Sequence, residues 1–369
     1  MAQINFSQSS RKTQVIMKKL FCLAFFFFII APMTQAQNNF ISPTNSMIQY
    51  SGRVDFSNPE TPRFDWPGIS ITTAFHGTSV GFLLDDAGNN YNVIVDGQPN
   101  TVWAASASQN LYTVDNLPSG DHVVKIVKRT ESMFGLTTFK GLVLSPGGTL
   151  SNPPAPPSRR IELIGDSYLC GYGVEAASIK CDSLRPYENA EKAFGRLVAQ
   201  DLNAEYHLES FSGKGVVRNW GDPKTKSADP FPSLYDRVVC QDAKSLWDFT
   251  KWTPNVVIIH LGFNDFSSPP GADRKEFGLG YIAFLKHIRE KYPKAFIFCV
   301  APDGWPTPLS TTVDEVVEKR HSAGDNNVQL ITYTPVAPDE MGCDSHPNTV
   351  AQRKIADVVT AAIKTTLDW

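Results

Sequence analysis

Three short segments of this chain carry the side chains that acyl transfer requires. Ser167 comes just after the apolar run Ile161 to Ile164, and Asn264 comes just after the run Val256 to Leu261. His346 precedes the last helical stretch of the chain. Parallel α/β sheets present functional groups where strands end, and a serine, a histidine and an amide donor are the parts of an acyl-transfer site. The combination predicts a serine esterase.

We interpret Ser167 as the nucleophile. A hydroxyl at the first turn after a buried strand is exposed at the carboxyl edge of the sheet, where the N–H groups of the same turn face an incoming oxyanion. Taken alone, Gly165-Asp166-Ser167 would more often be a helix cap or a tight turn. The segment is not the Gly-x-Ser-x-Gly elbow of α/β-hydrolases, because position 169 is Leu.

His346 is the candidate general base. An imidazole accepts the serine proton near neutral pH and returns it to the leaving alcohol. Pro347 and Asn348 indicate a helix start, so we expect His346 in a loop next to a helix N-terminus. Asp344 is the candidate acid that orients the imidazole, and its alternative is a turn aspartate.

The oxyanion donors are predicted on two loops. Asn264 offers its side-chain amide, although an Asx turn is the alternative for that residue. A glycine N–H should be the second donor, and Gly213 and Gly215 are the candidates; we favour Gly213 because it is nearer the end of the preceding strand. Asp166 and Asp265 are expected to brace these turns and not to react.

Residues 37–150 are predicted to form a β-sandwich. Apolar and polar residues alternate from Ile69 to His76 and from Tyr91 to Asp96, which is typical of half-buried strands. About seven short strands with no convincing helix favour a jelly roll. The further strand candidates are Val80 to Leu84, Leu111 to Val114, His122 to Val127 and Thr137 to Leu144.

A proline-rich stretch at residues 151–158 predicts a domain boundary, because closely spaced prolines favour extended backbone. In residues 159–369 strands alternate with helical patterns, which predicts a parallel sheet between two helical layers. The predicted helices are Ala190 to Leu202, Tyr281 to Lys291, Val313 to Ser322 and Thr349 to Ile363. The predicted strands are Ile161 to Gly165, Tyr206 to Phe211, Val256 to Leu261, Ala295 to Val300 and Val328 to Tyr333.

Residues 1–36 have the pattern of a secretory signal peptide. Lys18 and Lys19 precede the apolar stretch Leu20 to Ile30, which is too short to span a bilayer, and Thr34-Gln35-Ala36 suits cleavage. We expect a secreted or periplasmic monomer that does not bind the membrane after removal of the signal.

Composition and charge argue against several partners. Removing residues 1–36 takes away four basic residues and no acidic one, so the formal charge moves from −3 to −7 and nucleic acid is not expected as a partner. The Cys and His spacings do not resemble a zinc site, and we predict neither metal nor cofactor. Five cysteines remain; Cys170 and Cys181 are the nearest pair if a disulfide forms, and buried free thiols are the alternative.

These motifs resemble the four sequence blocks of the SGNH (GDSL-type) hydrolases. Gly165-Asp166-Ser167, the glycine at 213, Gly262-Phe263-Asn264-Asp265 and His346 occur in the order of those blocks. With a predicted β-sandwich ahead of them, the arrangement resembles the second carbohydrate esterase family, in which a jelly-roll domain leads into an SGNH domain. The resemblance covers nearly all of the chain after residue 36.

The resemblance implies removal of O-acetyl groups from plant polysaccharides such as xylan and glucomannan, through an acetyl-serine intermediate. It implies Ser167 as nucleophile, His346 as base, and Gly213 and Asn264 in the oxyanion hole together with the turn at Ser167. Acetylated polysaccharide or oligosaccharide is the expected substrate.

One position departs from the SGNH pattern. Most SGNH enzymes carry the acid three residues before the histidine, where this chain has Cys343. Asp344 is one position later, a placement that members of the esterase family also show, while other members lack the acid and work as a dyad. The family also stacks sugar on cleft aromatics; our candidates are Trp305 and, after it, Trp220, and core or loop packing is the alternative for both.

Two rival functions fit the same residues. A lipase or thioesterase would use the same site but would need an apolar groove for a long acyl chain. A non-catalytic carbohydrate-binding protein would carry a vestigial esterase site.

Overall fold

The computed structural model describes residues 39–369, and the predicted signal peptide lies outside the described residues. The first part of the described chain is an antiparallel β-sandwich. Its strands are β1 (Asn39–Ile41), β2 (Ile48–Ser51), β3 (Arg63–Phe64), β4 (Ser70–Gly77), β5 (Val80–Asp85), β6 (Asn90–Val95), β7 (Gln98–Ala104), β8 (Leu111–Val114), β9 (Gly120–Lys128), β10 (Thr137–Leu144) and β11 (Thr149–Ser151).

Two sheets face each other in the sandwich. One has the order β1-β10-β5-β8, with β3 paired to β10, and the other has the order β11-β4-β9-β6-β7, with β2 paired to β4. The rings of Phe82 in one sheet and Trp103 in the other lie 5.8 Å apart in the shared core. Most neighbours are not consecutive in the chain, as the connections of a jelly roll require. The strands that sequence patterns missed are short, or, in β7, almost wholly exposed.

The second part is a three-layer α/β/α domain, which confirms the predicted fold class. Its parallel sheet has the order β13-β12-β14-β15-β16. Helices α2 and α6 pack on the face that carries Ile258, and α4 and α5 pack on the face that carries Val257 and Ile259. The elements are β12 (Arg159–Gly165), α1 (Ser167–Cys170), α2 (Phe194–Asp201), β13 (Ala204–Ser210), β14 (Val256–His260), α3 (Phe263–Phe266), α4 (Arg274–Lys291), β15 (Phe296–Pro302), α5 (Leu309–Ser322), β16 (Val328–Tyr333) and α6 (Thr349–Leu367).

Helix α4 begins seven residues before its predicted start at Tyr281. The Asp273 side chain caps the helix by accepting the N–H of Glu276 at 2.9 Å. Gly278 and Gly280 lie in the early turns, and because glycine has a low helix propensity, they hid this start from the sequence pattern.

Buried polar contacts join the sandwich to the α/β part. The guanidinium of Arg53 lies 2.9 Å from Glu162 and 3.0 Å from Glu209, and all three side chains are fully buried. The carboxylate of Asp65 accepts the backbone N–H groups of Cys240 at 2.7 Å and Gln241 at 3.1 Å. These contacts join loops of the sandwich to two strands, β12 and β13, and to one loop of the α/β part.

The cysteine pairing differs from the nearest pair in sequence. Cys181 forms a disulfide with Cys343, while Cys170, Cys240 and Cys299 are buried free thiols. Cys170 lies in α1, buried, with its thiol 3.2 Å from the Ser210 hydroxyl. Within residues 39–369, no helix combines the length and the apolar character that crossing a membrane would need.

Candidate active site

The parallel register brings the predicted functional segments to one edge of the sheet. The end of β12 pairs with Ser210 of β13 on one side and with His260 of β14 on the other. Ser167 follows β12, so the predicted nucleophile lies at the end of this strand, between two loops. Those loops contain the two predicted oxyanion donors, Gly213 and Asn264.

Ser167 and His346 are in direct contact, with 2.8 Å between the serine Oγ and the histidine Nε2. Ser167 is the first residue of α1, and the side chain of Asp166 caps this short helix by accepting the N–H of Tyr168 at 3.1 Å. Position 165, just before Asp166, requires glycine, because a Cβ there would lie 2.9 Å from a backbone oxygen of β14. The structure therefore provides a serine and a base in hydrogen-bonding distance.

The other nitrogen of the imidazole meets a backbone carbonyl and not a carboxylate. His346 Nδ1 lies 3.1 Å from the carbonyl oxygen of Asp344. The Asp344 carboxylate instead accepts the hydroxyl of Tyr172 at 2.8 Å. This corrects the predicted contact between the Asp344 side chain and the imidazole. The reason is conformational, since Asp344 and Ser345 both have left-handed backbone, with φ of 50° and 60°, and this turn aims the carbonyl at the ring.

The carbonyl contact fixes the protonation pattern of the imidazole. A carbonyl can only accept, so Nδ1 must carry the hydrogen, and Nε2 of the neutral ring is left to accept the hydrogen of Ser167. The ring is packed between Tyr172, stacked on it at 4.2 Å between centroids, and Tyr168 at 6.1 Å. This burial lowers the pKa of His346 from its ordinary value, and the charge of Asp166 only partly opposes the effect. The imidazole of His346 is therefore neutral at neutral pH, as the predicted role of a base requires.

Two backbone N–H groups beside Ser167 are free to meet an oxyanion. Among the described residues, neither the N–H of Ser167 nor that of Gly213 has a hydrogen-bond partner. The N–H of Gly215 donates to the side chain of Asn219 at 3.3 Å, so it is already occupied. Gly213 has a φ of 77°, a conformation that glycine adopts without strain. This geometry favours Gly213 over Gly215 as the donor.

The Asn264 amide is buried and linked to both neighbouring loops. Its Nδ2 donates to the carbonyl of Lys214 at 2.9 Å and has only a longer contact, 3.4 Å, with Asp166. Of the two amide hydrogens, the one on the side of Asp166 has the weaker protein contact. Asp265 accepts three consecutive backbone N–H groups at 2.8 Å, those of Val216, Val217 and Arg218. The expectation that Asp166 and Asp265 brace these turns is confirmed.

The two candidate sugar-stacking tryptophans are exposed next to the oxyanion loops. The Trp220 side chain is 64% exposed, and the backbone N–H of this residue donates to the carbonyl of Gly213 at 2.8 Å. Trp305 is 54% exposed, and its ring contacts Phe263, the residue before Asn264, at 5.0 Å between centroids. Large apolar side chains exposed at a site are available for a ligand.

Sequence reasoning missed the residues that hold the histidine loop. Tyr172 stacks on the base, and the disulfide between Cys181 and Cys343 anchors the loop three residues before it. The backbone N–H of Asp344 also donates to the carbonyl of Ile179 at 2.9 Å. Cys181 and Cys343 lie beside Asp344, but joined sulfurs offer no thiolate to a metal. No sequence pattern marks Tyr172, because only the fold brings it to the imidazole.

A serine and a histidine at the carboxyl edge of a five-stranded parallel sheet, with a β-sandwich ahead of it, define a serine hydrolase of the GDSL type with an added β domain. Two family models match this chain: "Carbohydrate esterase 2 N-terminal" over residues 50–154 and "GDSL-like Lipase/Acylhydrolase family" over residues 163–354.

Characterised proteins support the same assignment. The chain is 34% identical over 334 residues to cellulase/esterase CelE of Acetivibrio thermocellus, which covers 88% of this chain and 40% of that relative. It is 28% identical over 337 residues to an acetylxylan esterase / glucomannan deacetylase of Cellvibrio japonicus, with 89% of this chain and 91% of the relative covered. Only part of CelE is therefore represented here.

Solved structures show the same architecture. A family two carbohydrate esterase from Clostridium thermocellum in complex with cellohexaose superposes with a TM-score of 0.81 at 33% identity, covering 87% of this chain and 99% of that one. A family two carbohydrate esterase from Cellvibrio japonicus superposes with a TM-score of 0.81 at 25% identity, covering 90% and 99%. The chain belongs to the family 2 carbohydrate esterases within the GDSL-like hydrolases, and it is a carboxylic ester hydrolase.

Proposed function

We propose that this protein is a secreted or periplasmic serine esterase that removes O-acetyl groups from plant cell-wall polysaccharides such as xylan and glucomannan. The observation that carries the proposal is the 2.8 Å contact between Ser167 Oγ and His346 Nε2, beside two backbone N–H groups that no acceptor in residues 39–369 engages. The acetylxylan esterase / glucomannan deacetylase of Cellvibrio japonicus supports the choice of substrate. The protein acts as a monomer without a cofactor.

Acylation begins when His346 accepts the hydroxyl hydrogen of Ser167 at Nε2. The serine oxygen forms a bond to the acetyl carbonyl carbon, and the carbonyl oxygen becomes an oxyanion held by the N–H groups of Ser167 and Gly213 and by the Asn264 amide. When the tetrahedral intermediate collapses, the bond to the sugar oxygen breaks. His346 gives its proton to that oxygen, and the deacetylated sugar leaves an acetyl group on Ser167.

Deacylation repeats the same steps with water. His346 takes a proton from a water molecule, whose oxygen attacks the acetyl carbon of the ester on Ser167. Collapse of the second oxyanion breaks the bond to the serine oxygen, which regains its hydrogen from His346, and acetate leaves. Throughout both steps the Asp344 carbonyl holds the imidazole and accepts from Nδ1–H, as the carboxylate of a triad does in related enzymes.

The rim aromatics orient the carbohydrate chain in this proposal. Trp220 and Trp305 flank the loops of Gly213 and Asn264, so sugar rings stacked on them would lie next to the oxyanion site. The structure with cellohexaose shows that a related family member binds a glucan chain. Stacking on aromatic faces suits the apolar C–H faces of sugar rings, and it does not provide a groove for a long acyl chain.

The test is the release of acetate from acetylated glucomannan and acetylated xylan, compared with hydrolysis of 4-nitrophenyl acetate and 4-nitrophenyl octanoate, by wild type and Ser167→Ala. We expect acetate release that is lost in the variant, with little octanoate turnover. Octanoate hydrolysis faster than acetate hydrolysis would favour a lipase. Glucan binding without hydrolysis of any acetate would favour a carbohydrate-binding protein. Export is tested separately. The chain is expressed with residues 1–36 and the N-terminal residue of the recovered protein is determined; removal of residues 1–36 is the expected result.

A further inference from the structure

A buried carboxylate of the β-sandwich reaches the loop that carries the oxyanion donor. Glu131 follows β9, and one carboxylate oxygen accepts the backbone N–H of Ser212 at 2.7 Å while the other accepts the Ser212 hydroxyl. The Glu131 side chain is fully buried. Ser212 is the residue immediately before Gly213, so a side chain from one domain contacts the peptide next to the donor in the other.

These two hydrogen bonds restrict the direction of the Gly213 N–H. In the described part of the chain that N–H has no hydrogen-bond partner of its own, so its direction depends on how the neighbouring groups are fixed. On the C-terminal side of this N–H, the carbonyl of Gly213 accepts the backbone N–H of Trp220 at 2.8 Å. On the N-terminal side, Glu131 accepts the backbone N–H and the hydroxyl of Ser212. A donor that is held in place before the reaction pays no reorganisation cost in the transition state.

The Glu131 residue is part of a buried hydrogen-bond network. The backbone N–H of Glu131 donates to Glu188 at 2.6 Å, and the ammonium of Lys128 donates to the carbonyl of Glu131 at 3.2 Å. Burial raises the pKa of Glu131, whereas the Ser212 contacts and the charge of Lys128 lower it. A buried acid without such partners would be strongly destabilising, so the Ser212 contacts and Lys128 are what allow it to occupy this position.

We propose that Glu131 is a positioning residue for catalysis, through which the β-sandwich holds Ser212 so that the Gly213 N–H faces the oxyanion. The inference rests on the proposed function, because it takes Gly213 as an oxyanion donor. It assigns the β-sandwich a part in turnover that does not depend on binding glycan.

The test compares Glu131→Ala, Glu131→Gln and Ser212→Ala with wild type on 4-nitrophenyl acetate. Loss of a whole oxyanion donor lowers kcat by about 10²–10³-fold, so a donor that is only misaligned should lower it by roughly 10–100-fold. We expect this loss in Glu131→Ala with KM within about threefold of wild type, since ground-state binding does not use the oxyanion contact. Glutamine can accept the Ser212 N–H and donate to its hydroxyl, so Glu131→Gln should restore kcat to within a few-fold.

Asp65→Ala is the matched control, because Asp65 is also a buried sandwich carboxylate that accepts two backbone N–H groups of the α/β part, at Cys240 and Gln241. That loop carries none of the proposed catalytic residues. Both alanine variants should lower the thermal midpoint, but only Glu131→Ala should lower kcat and slow inactivation by a fluorophosphonate, which also depends on the oxyanion hole. Equal losses of kcat in the two variants would reduce Glu131 to a structural residue and overturn the proposal.

Ser212→Ala decides the matter if Glu131→Ala does not fold. This variant removes one of the two contacts and keeps the backbone N–H contact, so we expect a kcat loss of a few-fold. The thermal midpoint should fall as well, because one oxygen of the buried carboxylate loses its partner, and Asp65→Ala again shows how far such destabilisation alone lowers kcat. An unchanged kcat would overturn the proposal. Wild type that hydrolyses no acetyl ester would instead refute the proposed function, and this inference with it.

Discussion

Replacing Asp344 by asparagine separates the role of its backbone carbonyl from that of its carboxylate. The carbonyl oxygen lies 3.1 Å from His346 Nδ1, whereas the carboxylate contacts the hydroxyl of Tyr172. Asparagine keeps the carbonyl, can accept the Tyr172 hydroxyl through its amide oxygen, and tolerates the left-handed conformation at φ 50°. The substitution therefore removes only the charge.

The expected magnitude differs sharply between the two interpretations of Asp344. Where a carboxylate is the acid of a triad, its replacement by asparagine lowers kcat by about 10⁴-fold, because the imidazole adopts the wrong tautomer. Here the carbonyl sets the tautomer, so we expect Asp344→Asn to keep kcat within about threefold of wild type. Asp344→Ala should lose somewhat more, since it gives up the Tyr172 contact and places alanine in a left-handed conformation that costs roughly 1–2 kcal/mol.

The assay is the initial rate of 4-nitrophenyl acetate hydrolysis across pH 5 to 9, with His346→Ala as the reference for loss of the base. His346→Ala should lower kcat by at least about 10³-fold. A loss of the same order in Asp344→Asn would show that the carboxylate orients the imidazole during turnover. That result would refute the reasoning from the backbone carbonyl.

Three further predictions follow from the same geometry. Because burial lowers the pKa of His346 and the neutral ring is the active form, kcat/KM should fall at acid pH with a midpoint below the ordinary histidine pKa of about 6.5. A midpoint above pH 7 would contradict this prediction. Trp220→Ala and Trp305→Ala should each raise KM for acetylated glucomannan about fivefold, which corresponds to about 1 kcal/mol of stacking. The kinetics with 4-nitrophenyl acetate should stay within twofold of wild type. Equal effects on both substrates would argue against sugar stacking. Replacing Cys181 and Cys343 together by serine should lower the free energy of unfolding in urea by about 2–4 kcal/mol and reduce kcat through the loosened His346 loop, whereas Cys299→Ser should leave kcat unchanged.

The elements that sequence predicted best are those with strong apolar patterns. Strands β8, β10 and β16 match their predicted bounds, because each is a continuous or alternating apolar run that ends at a turn. Ser167 and Asn264 could be placed at one sheet edge because each follows a buried parallel strand of that kind. The contact with His346 could be inferred from the resemblance, but its distance could not.

What sequence left open depends on contacts that the fold creates. The pairing of Cys181 with Cys343 spans 162 residues, and sequence proximity pointed to Cys170 instead. Two successive residues with left-handed backbone, Asp344 and Ser345, determine that the carbonyl of Asp344 and not its carboxylate contacts the imidazole. No local sequence pattern predicts this conformation. Glu131 lies 81 residues before Ser212 in a different domain, so their contact depends on how the two parts pack and cannot be predicted from local sequence.

Trapping the acyl-enzyme is the direct test of whether Ser167 is the nucleophile. Wild-type protein is mixed with acetylated glucomannan or 4-nitrophenyl acetate, quenched in acid within milliseconds and digested, and the peptide that contains Ser167 is analysed by mass spectrometry. We predict an acetyl group on Ser167 in the wild type and both its absence and the loss of acetate release in Ser167→Ala. Acetate release that persists in Ser167→Ala, or an acetyl group trapped on a different residue, would contradict the account.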